Sequence, residues 1–206
     1  MPRPSNTDAR REQIVLGLQR VMAERGYEKA TVSAIAQAAG LTPGLVHYHF
    51  KNKQEILLEL LARLGRVWRA RAATVDEGAP RERLEKLINA WLARDRSADP
   101  GAVACWVALG AEALRQPQVR APYDEVVREA LARLEEGVEL VLEAEARPTG
   151  ECRAIAAGLM AAMQGYLQLG VANPDSIPRG SAARTVIAMA HGALDAQVTQ
   201  PEGRSR

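Results

Sequence analysis

Residues 31–55, TVSAIAQAAGLTPGLVHYHFKNKQE, restrict the possible folds more than any other part of the sequence. Thr31 can cap a short helix whose apolar residues recur at helical spacing. Gly40 can adopt the left-handed conformation that ends a helix. Thr42 can cap a second helix that begins with Pro43, because the missing N–H of proline costs nothing at that position. This pattern predicts a helix-turn-helix, whose second helix is of the kind that enters the major groove of DNA.

The composition favours an all-α fold. The chain is 47% hydrophobic, 25% charged and 4% aromatic, and it is rich in strong helix formers while runs of β-branched residues are absent. A chain of 206 residues can form one large domain or two small ones. We predict an N-terminal three-helix, helix-turn-helix DNA-binding domain over residues 1–54 and a helical effector-binding and dimerisation domain over residues 55–206, with about nine helices in all.

The two predicted domains differ in net charge. Residues 1–54 contain eight Lys and Arg against four Asp and Glu, a balance of +4, whereas the remainder contains nineteen against twenty-one, a balance of −2. A positive excess on the helix-turn-helix segment is what binding to phosphates requires. A chance imbalance in so short a window remains an alternative explanation.

Helical periodicity, capping residues and turn signals predict the other elements. A first helix should begin near Thr7 or Asp8 and end at about Arg25, and Asn52 followed by Glu55 should cap the start of a long fourth helix. The predicted helices cover approximately residues 8–25, 32–39, 43–49, 52–75, 81–96, 102–115, 118–146, 151–171 and 181–198. Residues 1–7 and 200–206 are expected to be loosely ordered.

A DNA-binding helix-turn-helix needs phosphate contacts to set its register and base contacts to read the sequence. Helix N-termini, hydroxyl groups and lysines bind phosphates, and the missing side chain of Gly44 would let the backbone approach DNA closely. Leu45 can touch a thymine methyl group, and the His47–His49 run offers hydrogen-bonding groups. The predicted DNA-binding residues are Thr31, Ser33, Thr42, Pro43, Gly44, Leu45, His47, Tyr48, His49, Lys51 and Lys53.

The pattern AIAxxAGLxxGxxxxxFxxKxxIL, from Ala34 to Leu57, resembles the DNA-binding signature of the TetR family of bacterial transcriptional regulators. The resemblance is specific over residues 10–60. It implies that Thr31, Ser33, Thr42, Gly44, Tyr48 and Lys53 occupy the family's usual phosphate-contacting or base-contacting positions. Most members have an aromatic residue three positions before the phenylalanine, where this chain has His47, so the aromatic contact passes to Tyr48 or to His47 itself.

A second segment resembles one branch of the same family. The sequence from Trp106 to Arg120, WVALGAEALRQPQVR, is similar to the sensor domain of the branch that includes choline-responsive repressors. The resemblance implies a ligand pocket and a dimer interface in the C-terminal helices.

The last two predicted helices, 151–171 and 181–198, are apolar around most of their circumference. A helix of this kind must be covered on both sides, and a second subunit can cover one of them. We therefore expect a homodimer with a four-helix interface, which would present two recognition helices to a palindromic operator. The expected interface residues are Leu159, Met163, Leu167, Val186, Ala190 and Leu194. The alternative is that both helices are central core helices of one chain.

Three tryptophans are many for a chain with so few aromatic residues, and they are candidates for a ligand pocket. Aromatic rings can surround a cation such as a quaternary ammonium group, so we expect a small apolar or cationic effector. The predicted ligand-binding residues are Trp68, Trp91, Trp106, Tyr123, Met163 and Tyr166, each of which could instead pack in the core. Glu112 and Gln164 are possible polar anchors, and exposed or capping roles are the alternative. His191 could bridge subunits or satisfy a core group.

No pattern in the sequence indicates an enzyme, a metal site or a cofactor. Cys105 and Cys152 suggest no disulfide framework, and neither an N-terminal apolar segment nor a run of eighteen apolar residues is present, so a cytoplasmic protein without a membrane partner is expected. The preferred hypothesis is a dimeric repressor that a small ligand releases from its operator. The alternative is a DNA-binding dimer whose C-terminal domain serves dimerisation or a protein partner and takes no ligand.

Overall fold

The computed structural model describes residues 6–75, 77–92 and 99–196. Over these ranges the chain forms nine α-helices and one short 3₁₀ turn, and it contains no β-strand, which confirms the prediction of an all-α fold. The helices are α1 (Asn6–Arg25), α2 (Val32–Ala39), α3 (Pro43–His49), α4 (Lys53–Ala72), α5 (Pro80–Leu92), α6 (Pro100–Arg115), α7 (Pro117–Ala144), α8 (Cys152–Ala172) and α9 (Ser181–Ala196), and the 3₁₀ turn is Pro174–Ser176.

The helix boundaries differ from the predicted ones at a few positions. Helix α4 ends at Ala72 instead of near residue 75, and α7 runs without interruption through Pro122. Pro122 is the sixth residue of α7, so it removes one intrahelical hydrogen bond, the one that an N–H at this position would donate to the Gln118 carbonyl, and the helix continues across it. The predicted end of the fifth helix beyond residue 92 and most of both predicted loose termini lie outside the described residues.

The described residues pack into two compact units that are not contiguous in sequence. Unit 1 contains residues 6–67 and 99–126, and unit 2 contains residues 68–75, 77–92 and 127–196. The units are defined by packing, whereas the predicted division after residue 54 concerns function and stays a prediction. Helices α4 and α7 each contribute residues to both units.

Unit 1 is built around α1, which packs against α2, α3 and α6. Its core includes the fully buried side chains of Ile14, Leu18 and Ile35, together with Phe50, the one phenylalanine of the chain. Helices α1 and α2 approach closely at Gly17, because a Cβ atom there would lie 2.7 Å from the carbonyl oxygen of Ile35. The helix-turn-helix is therefore held by tight packing against α1.

Unit 2 is built around α8, which packs against α5 and α9. Among the described helices, α8 is long and apolar enough to meet the length and composition criteria for a membrane span, and one third of that stretch is buried within the protein. The same criteria are met by core helices of proteins that never enter a membrane. Arg81 pairs with Glu145 at 2.6 Å and with Asp195 at 2.9 Å, which links α5 to the turn after α7 and to α9.

Candidate nucleic-acid interface and apolar core

Three helix N-termini follow one another in residues 31–55, and each is capped by the side chain that the sequence predicts. The Thr31 Oγ1 atom accepts from the Ala34 N–H at 3.1 Å, and the Thr42 Oγ1 atom accepts from the Leu45 N–H at 3.3 Å. The Asn52 Oδ1 atom accepts from the Glu55 N–H at 2.9 Å. The remaining N–H groups of each first turn are the donors that phosphate groups use in protein–DNA complexes.

The turn between α2 and α3 is fixed by hydrogen bonds from two directions. Gly40 has φ of 67° and ends α2, and the Leu41 N–H donates to the Ala36 carbonyl at 2.9 Å. The last carbonyls of α2 also accept from α1 side chains, since Gln13 donates to Ala39 O at 2.5 Å and Arg20 donates to Ala38 O at 2.6 Å. The orphan carbonyls at the end of α2 are thereby satisfied and α2 is tied to α1.

Helix α3 presents one face to the core and the other to solvent. Val46 is buried, whereas 80% of the Tyr48 surface is exposed, and the ring of Tyr48 meets His49 edge-on at 5.1 Å. A Cβ atom added to Gly44 would meet nothing within 4 Å. Among the predicted DNA-binding residues, those that are exposed are Thr31, Ser33, Thr42, Pro43, Gly44, His47, Tyr48 and Lys51, and those that are half-buried are Leu45, His49 and Lys53.

Lys53 has partners that the sequence did not predict. Its ammonium group donates to the backbone carbonyls of Tyr27 at 2.9 Å and Glu28 at 3.4 Å, and it lies 4.2 Å from the centroid of the Tyr27 ring. Burial, with a smaller contribution from the negative charge of Glu112, raises the pKa of Tyr27. Lys53 therefore joins the start of α4 to the turn after α1, in addition to any contact with DNA.

The predicted ligand-binding residues fall into two groups in different units. In unit 2, the rings of Trp68 and Trp91 meet edge-on at 5.2 Å with an interplanar angle of 74°, next to Met163. In unit 1, the rings of Trp106 and Tyr123 stack at 4.7 Å with an angle of 24°. Tyr166 is half-buried on α8.

The tryptophan pair of unit 2 lines a narrow apolar space, which we call the tryptophan core. Its lining residues are Trp68, Leu87, Trp91, Ala130, Leu134, Met160 and Met163. None of the gaps among these side chains is wide enough to hold a water molecule. The indole N–H of Trp68 is buried and has no hydrogen-bond partner in the described part of the chain. The tryptophan core is thus packed too tightly to hold a water molecule, and the Trp68 indole N–H in its lining has no hydrogen-bond partner in the described part of the chain.

The structure buries all six residues that were expected at the dimer interface. Leu159, Met163, Leu167, Val186, Ala190 and Leu194 are each less than 7% exposed within a single chain, so they form part of the protomer's own core. The opposite faces of α8 and α9 are exposed instead. The exposed residues there are mostly small or apolar, namely Ala154, Ala157, Gly158, Ala161 and Leu169 on α8 and Ala188, Met189 and Gly192 on α9. These exposed residues, and not the six buried ones, are therefore the candidates for a dimer interface.

The possible polar anchors have local partners. The Glu112 Oε2 atom accepts from Gln116 Nε2 at 2.6 Å in unit 1, and the carboxylate is 9% exposed. In unit 2, His191 Nε2 lies 2.9 Å from Glu85 Oε1, joining α9 to α5. Gln164 is half-buried on α8. Across residues 6–75, 77–92 and 99–196, no three His, Cys, Asp or Glu side chains form a group that could hold a metal ion.

Both halves of the chain match known families. Residues 16–60 match the family described as bacterial regulatory proteins, tetR family. Residues 80–197, which are more than half of the chain, match the family described as BetI-type transcriptional repressor, C-terminal.

The similar proteins are transcriptional regulators and not enzymes, as predicted. The regulator BetI of Rhizobium meliloti strain 1021 is 34% identical over 122 residues, which cover 58% of this chain and 60% of that protein. The match thus spans less than two thirds of this relative's length. The regulator BetI of Serratia proteamaculans strain 568 is 28% identical over 169 residues, which cover 80% of this chain and 82% of that protein.

Solved structures share the fold over nearly the whole chain. A transcriptional regulator from Rhodococcus sp. Rha1 has a TM-score of 0.75 at 25% identity and covers 93% of this chain and 99% of its own. A regulator from Saccharomonospora viridis, crystallised in complex with choline, has a TM-score of 0.77 at 20% identity and covers 91% of this chain and 96% of its own.

Proposed function

Because the chain belongs to the TetR family of bacterial transcriptional regulators, with a BetI-type C-terminal domain, we propose that it is a repressor that binds a palindromic operator as a homodimer and is released by a small molecule. The observation that carries this proposal is the exposed face of α3. Tyr48 is 80% exposed beside the open backbone of Gly44, on a helix anchored from behind by buried Val46. A large aromatic side chain on a rigid, solvent-facing helix suits contact with DNA.

The phosphate contacts come from the three capped helix starts and from Lys51 and Lys53. The positive partial charge at each helix N-terminus adds to that of the lysines. The function requires access to DNA, so we place the protein in the cytoplasm.

Dimerisation is supported by the exposed faces of α8 and α9. Leu169 is 50% exposed and Met189 is 47% exposed, among alanines and glycines that let helices approach closely. Covering such a surface with a second copy of the chain would bury it and create a two-fold axis. Two copies of α3 would then address the two halves of a palindromic operator.

The effector is proposed to act on unit 2. Ligand binding must favour a conformation in which the two recognition helices are wrongly spaced for the operator. Helix α4 is the natural connection, since it begins at Lys53 in unit 1 and carries Trp68 of the tryptophan core in unit 2. The choline complex of the Saccharomonospora viridis regulator makes choline the first cationic probe to test.

One observation favours the alternative function, a DNA-binding dimer without a ligand. The tryptophan core has no space for a water molecule, so a ligand must displace side chains to enter. Met160 and Met163 can rearrange because methionine is unbranched and flexible. A chain that keeps its operator affinity under every effector tested would support the alternative.

The proposed function is tested by selecting DNA fragments from the organism's own genome with the purified protein and footprinting the fragment that binds. We expect protection of an inverted repeat, and loss of binding in Tyr48→Ala with an unchanged sedimentation coefficient. Leu114→Ala, an equally exposed site on α6, is the matched control and should bind normally. Unchanged binding by Tyr48→Ala would contradict the assignment of the interface.

A further inference from the structure

We propose that Arg11 of α1 is a positioning residue for the recognition helix α3. Its guanidinium group holds the C-terminal end of α3 in place, and this contact determines how well the protein distinguishes its operator from other DNA. Arg11 makes no phosphate contact of its own. The proposal rests on the proposed function, because this discrimination is defined only for a protein that binds an operator.

The end of α3 lacks the left-handed glycine that ends α2. Helix α2 stops at Gly40 with φ of 67°, whereas α3 stops at Phe50 in an extended conformation with φ of −138° and ψ of 131°. An extended residue directs the following N–H groups away from the last helical carbonyls, which then need other partners. A helix of seven residues is also too short to be stable alone. The orientation of α3 therefore depends on the contacts that anchor its end.

Arg11 provides two of these contacts. Its Nη1 group donates to the carbonyl oxygen of His49, the last residue of α3, at 2.7 Å. Its guanidinium carbon lies 4.1 Å from the centroid of the ring of Phe50, which is 2% exposed. A cation is favourable both at a helix C-terminus and over an aromatic face. One side chain of α1 thus fixes the last residue of α3 and the residue that follows it.

The same guanidinium group also reaches α4. Its Nη2 group donates to Glu59 Oε2 at 3.4 Å, and Glu59 Oε1 accepts from Arg66 at 3.3 Å. A planar guanidinium can serve several partners at once, which a lysine ammonium on its flexible stem does less well. Because Arg11 directs donors to α3 and α4, its structural surroundings favour a role in orienting α3 over a contact with phosphate.

Orientation and charge affect DNA binding differently. Phosphate contacts add affinity for any DNA sequence, whereas base contacts distinguish one sequence from another. Hydrogen bonds to base edges weaken steeply when their angles change. A recognition helix that is free to tilt should therefore lose operator affinity while it keeps its affinity for other DNA.

The test compares two variants that lose the same charge at neighbouring positions. Arg11→Met keeps a long side chain without donors, and Arg10→Met, at an exposed position of α1, is the matched control. Affinities for the footprinted operator and for a scrambled duplex of equal length are measured by fluorescence anisotropy at several salt concentrations. We expect Arg11→Met to weaken operator binding at least about tenfold and to change binding to the scrambled duplex by no more than about twofold. Arg10→Met should affect both duplexes equally.

Amide hydrogen exchange of the free protein provides a readout that does not need DNA. The Phe50 N–H donates to the Val46 carbonyl at 2.9 Å, so its exchange rate reports opening of the end of α3. The rate should rise at least about fivefold in Arg11→Met and stay at the wild-type value in Arg10→Met. Arg11→Lys keeps the charge and a donor for His49, so its exchange rate and operator affinity should be intermediate. If Arg11→Met does not fold, as judged by circular dichroism, the Arg11→Lys variant decides the question.

Two results would overturn the proposal. One is an equal loss of affinity for both duplexes in Arg11→Met, with a salt dependence less steep by about 0.9, because that is the signature of a lost phosphate contact. The other is a wild-type exchange rate of the Phe50 amide in both Arg11 variants. A wild-type protein that selects no operator would contradict the proposed function, and the Phe50 exchange rate would still show whether Arg11 holds α3.

Discussion

The ammonium group of Lys53 lies 4.2 Å from the ring centroid of Tyr27 and donates to the Tyr27 carbonyl oxygen at 2.9 Å. Lys53 is the first residue of α4 and Tyr27 follows the end of α1, so the contact fixes one helix start against the end of another. A lysine ammonium has three donors, and the two backbone carbonyls account for two of them. The third remains available for a phosphate, so the proposed DNA contact of Lys53 is compatible with its structural role.

We predict that Lys53→Gln weakens operator binding and also lowers its salt dependence. Each phosphate contact by a lysine contributes about −0.9 to the slope of log affinity against log salt concentration. The slope, measured by fluorescence anisotropy at several salt concentrations, should therefore become less steep by about one unit. If affinity falls while the slope stays the same, Lys53 acts through Tyr27 alone and the phosphate contact is contradicted.

We predict that Gly158→Arg dissociates the dimer without unfolding the protomer. A Cβ atom at Gly158 meets nothing within 4 Å in the single chain, so a large side chain there is tolerated until a second subunit packs against α8. Analytical ultracentrifugation should show a monomer with the helical circular dichroism of the wild type. Gly150→Arg, in the loop before α8 and equally open, is the control and should remain dimeric; a dimeric Gly158→Arg protein would contradict the proposed interface.

We predict that Gly17→Ala lowers the free energy of unfolding by up to about 2 kcal/mol. Alanine gains about 1 kcal/mol over glycine in a helix, but the new Cβ would lie 2.7 Å from the Ile35 carbonyl oxygen, and overpacking of this kind costs about 1–3 kcal/mol. Chemical denaturation monitored by circular dichroism measures the difference.

The control for Gly17 is Gly44→Ala, where the added Cβ meets nothing within 4 Å. This variant should be more stable than the wild type by up to about 1 kcal/mol, because alanine favours a helix over glycine and nothing opposes its Cβ. It should bind operator less tightly because the backbone of α3 is held further from DNA. An increase in stability for Gly17→Ala would show that the α1–α2 contact can relax.

We predict that Glu145 makes the protein sensitive to acid. Hydrogen bonds from Arg81, and then from Arg147, lower the pKa of Glu145 from 4.5 to about 2. Because the folded pKa lies below the unfolded one, the stabilisation is complete above about pH 4.5 and is lost as the pH falls through about 2. The melting temperature of Glu145→Gln should therefore decrease less than that of the wild type between pH 4.5 and pH 2.

The matched control is Glu136→Gln, at an exposed position on α7, the helix that ends just before Glu145. Its melting temperature should follow the wild type over the same pH range. A Glu145→Gln variant with the full acid sensitivity of the wild type would contradict the assigned role of the Arg81 and Arg147 contacts.

The helix boundaries could be predicted from the sequence because helix caps and helix stops depend on residues that are close together in the chain. Thr31, Thr42 and Asn52 cap their helices as the sequence indicates, and the left-handed Gly40 ends α2. The contact between Lys53 and Tyr27 joins residues that are 26 positions apart, and no local pattern encodes it. The sequence indicated only that Tyr27, the aromatic residue directly after Gly26, should pack onto the core.

Periodicity did not show that the residues expected at the dimer interface would be buried within one protomer. Both faces of α8 are apolar, so periodicity shows that the helix is covered on two sides but not which side belongs to the protomer. The larger side chains, such as Leu159 and Met163, fill the protomer core, and the small ones, such as Gly158 and Ala161, remain at the surface. Periodicity likewise did not show that Trp68 and Trp106 belong to different units.

The central claim, that two copies of this chain read two half-sites through α3, is tested most directly by the stoichiometry of the operator complex. The footprinted operator is compared with a version in which one half-site is scrambled, and the mass of each complex is measured by sedimentation velocity with labelled DNA. The account predicts two chains per intact operator and at least a hundredfold weaker binding to the scrambled one, equivalent to about 2.7 kcal/mol. A single chain on the intact operator, or equal affinity for both duplexes, would contradict it.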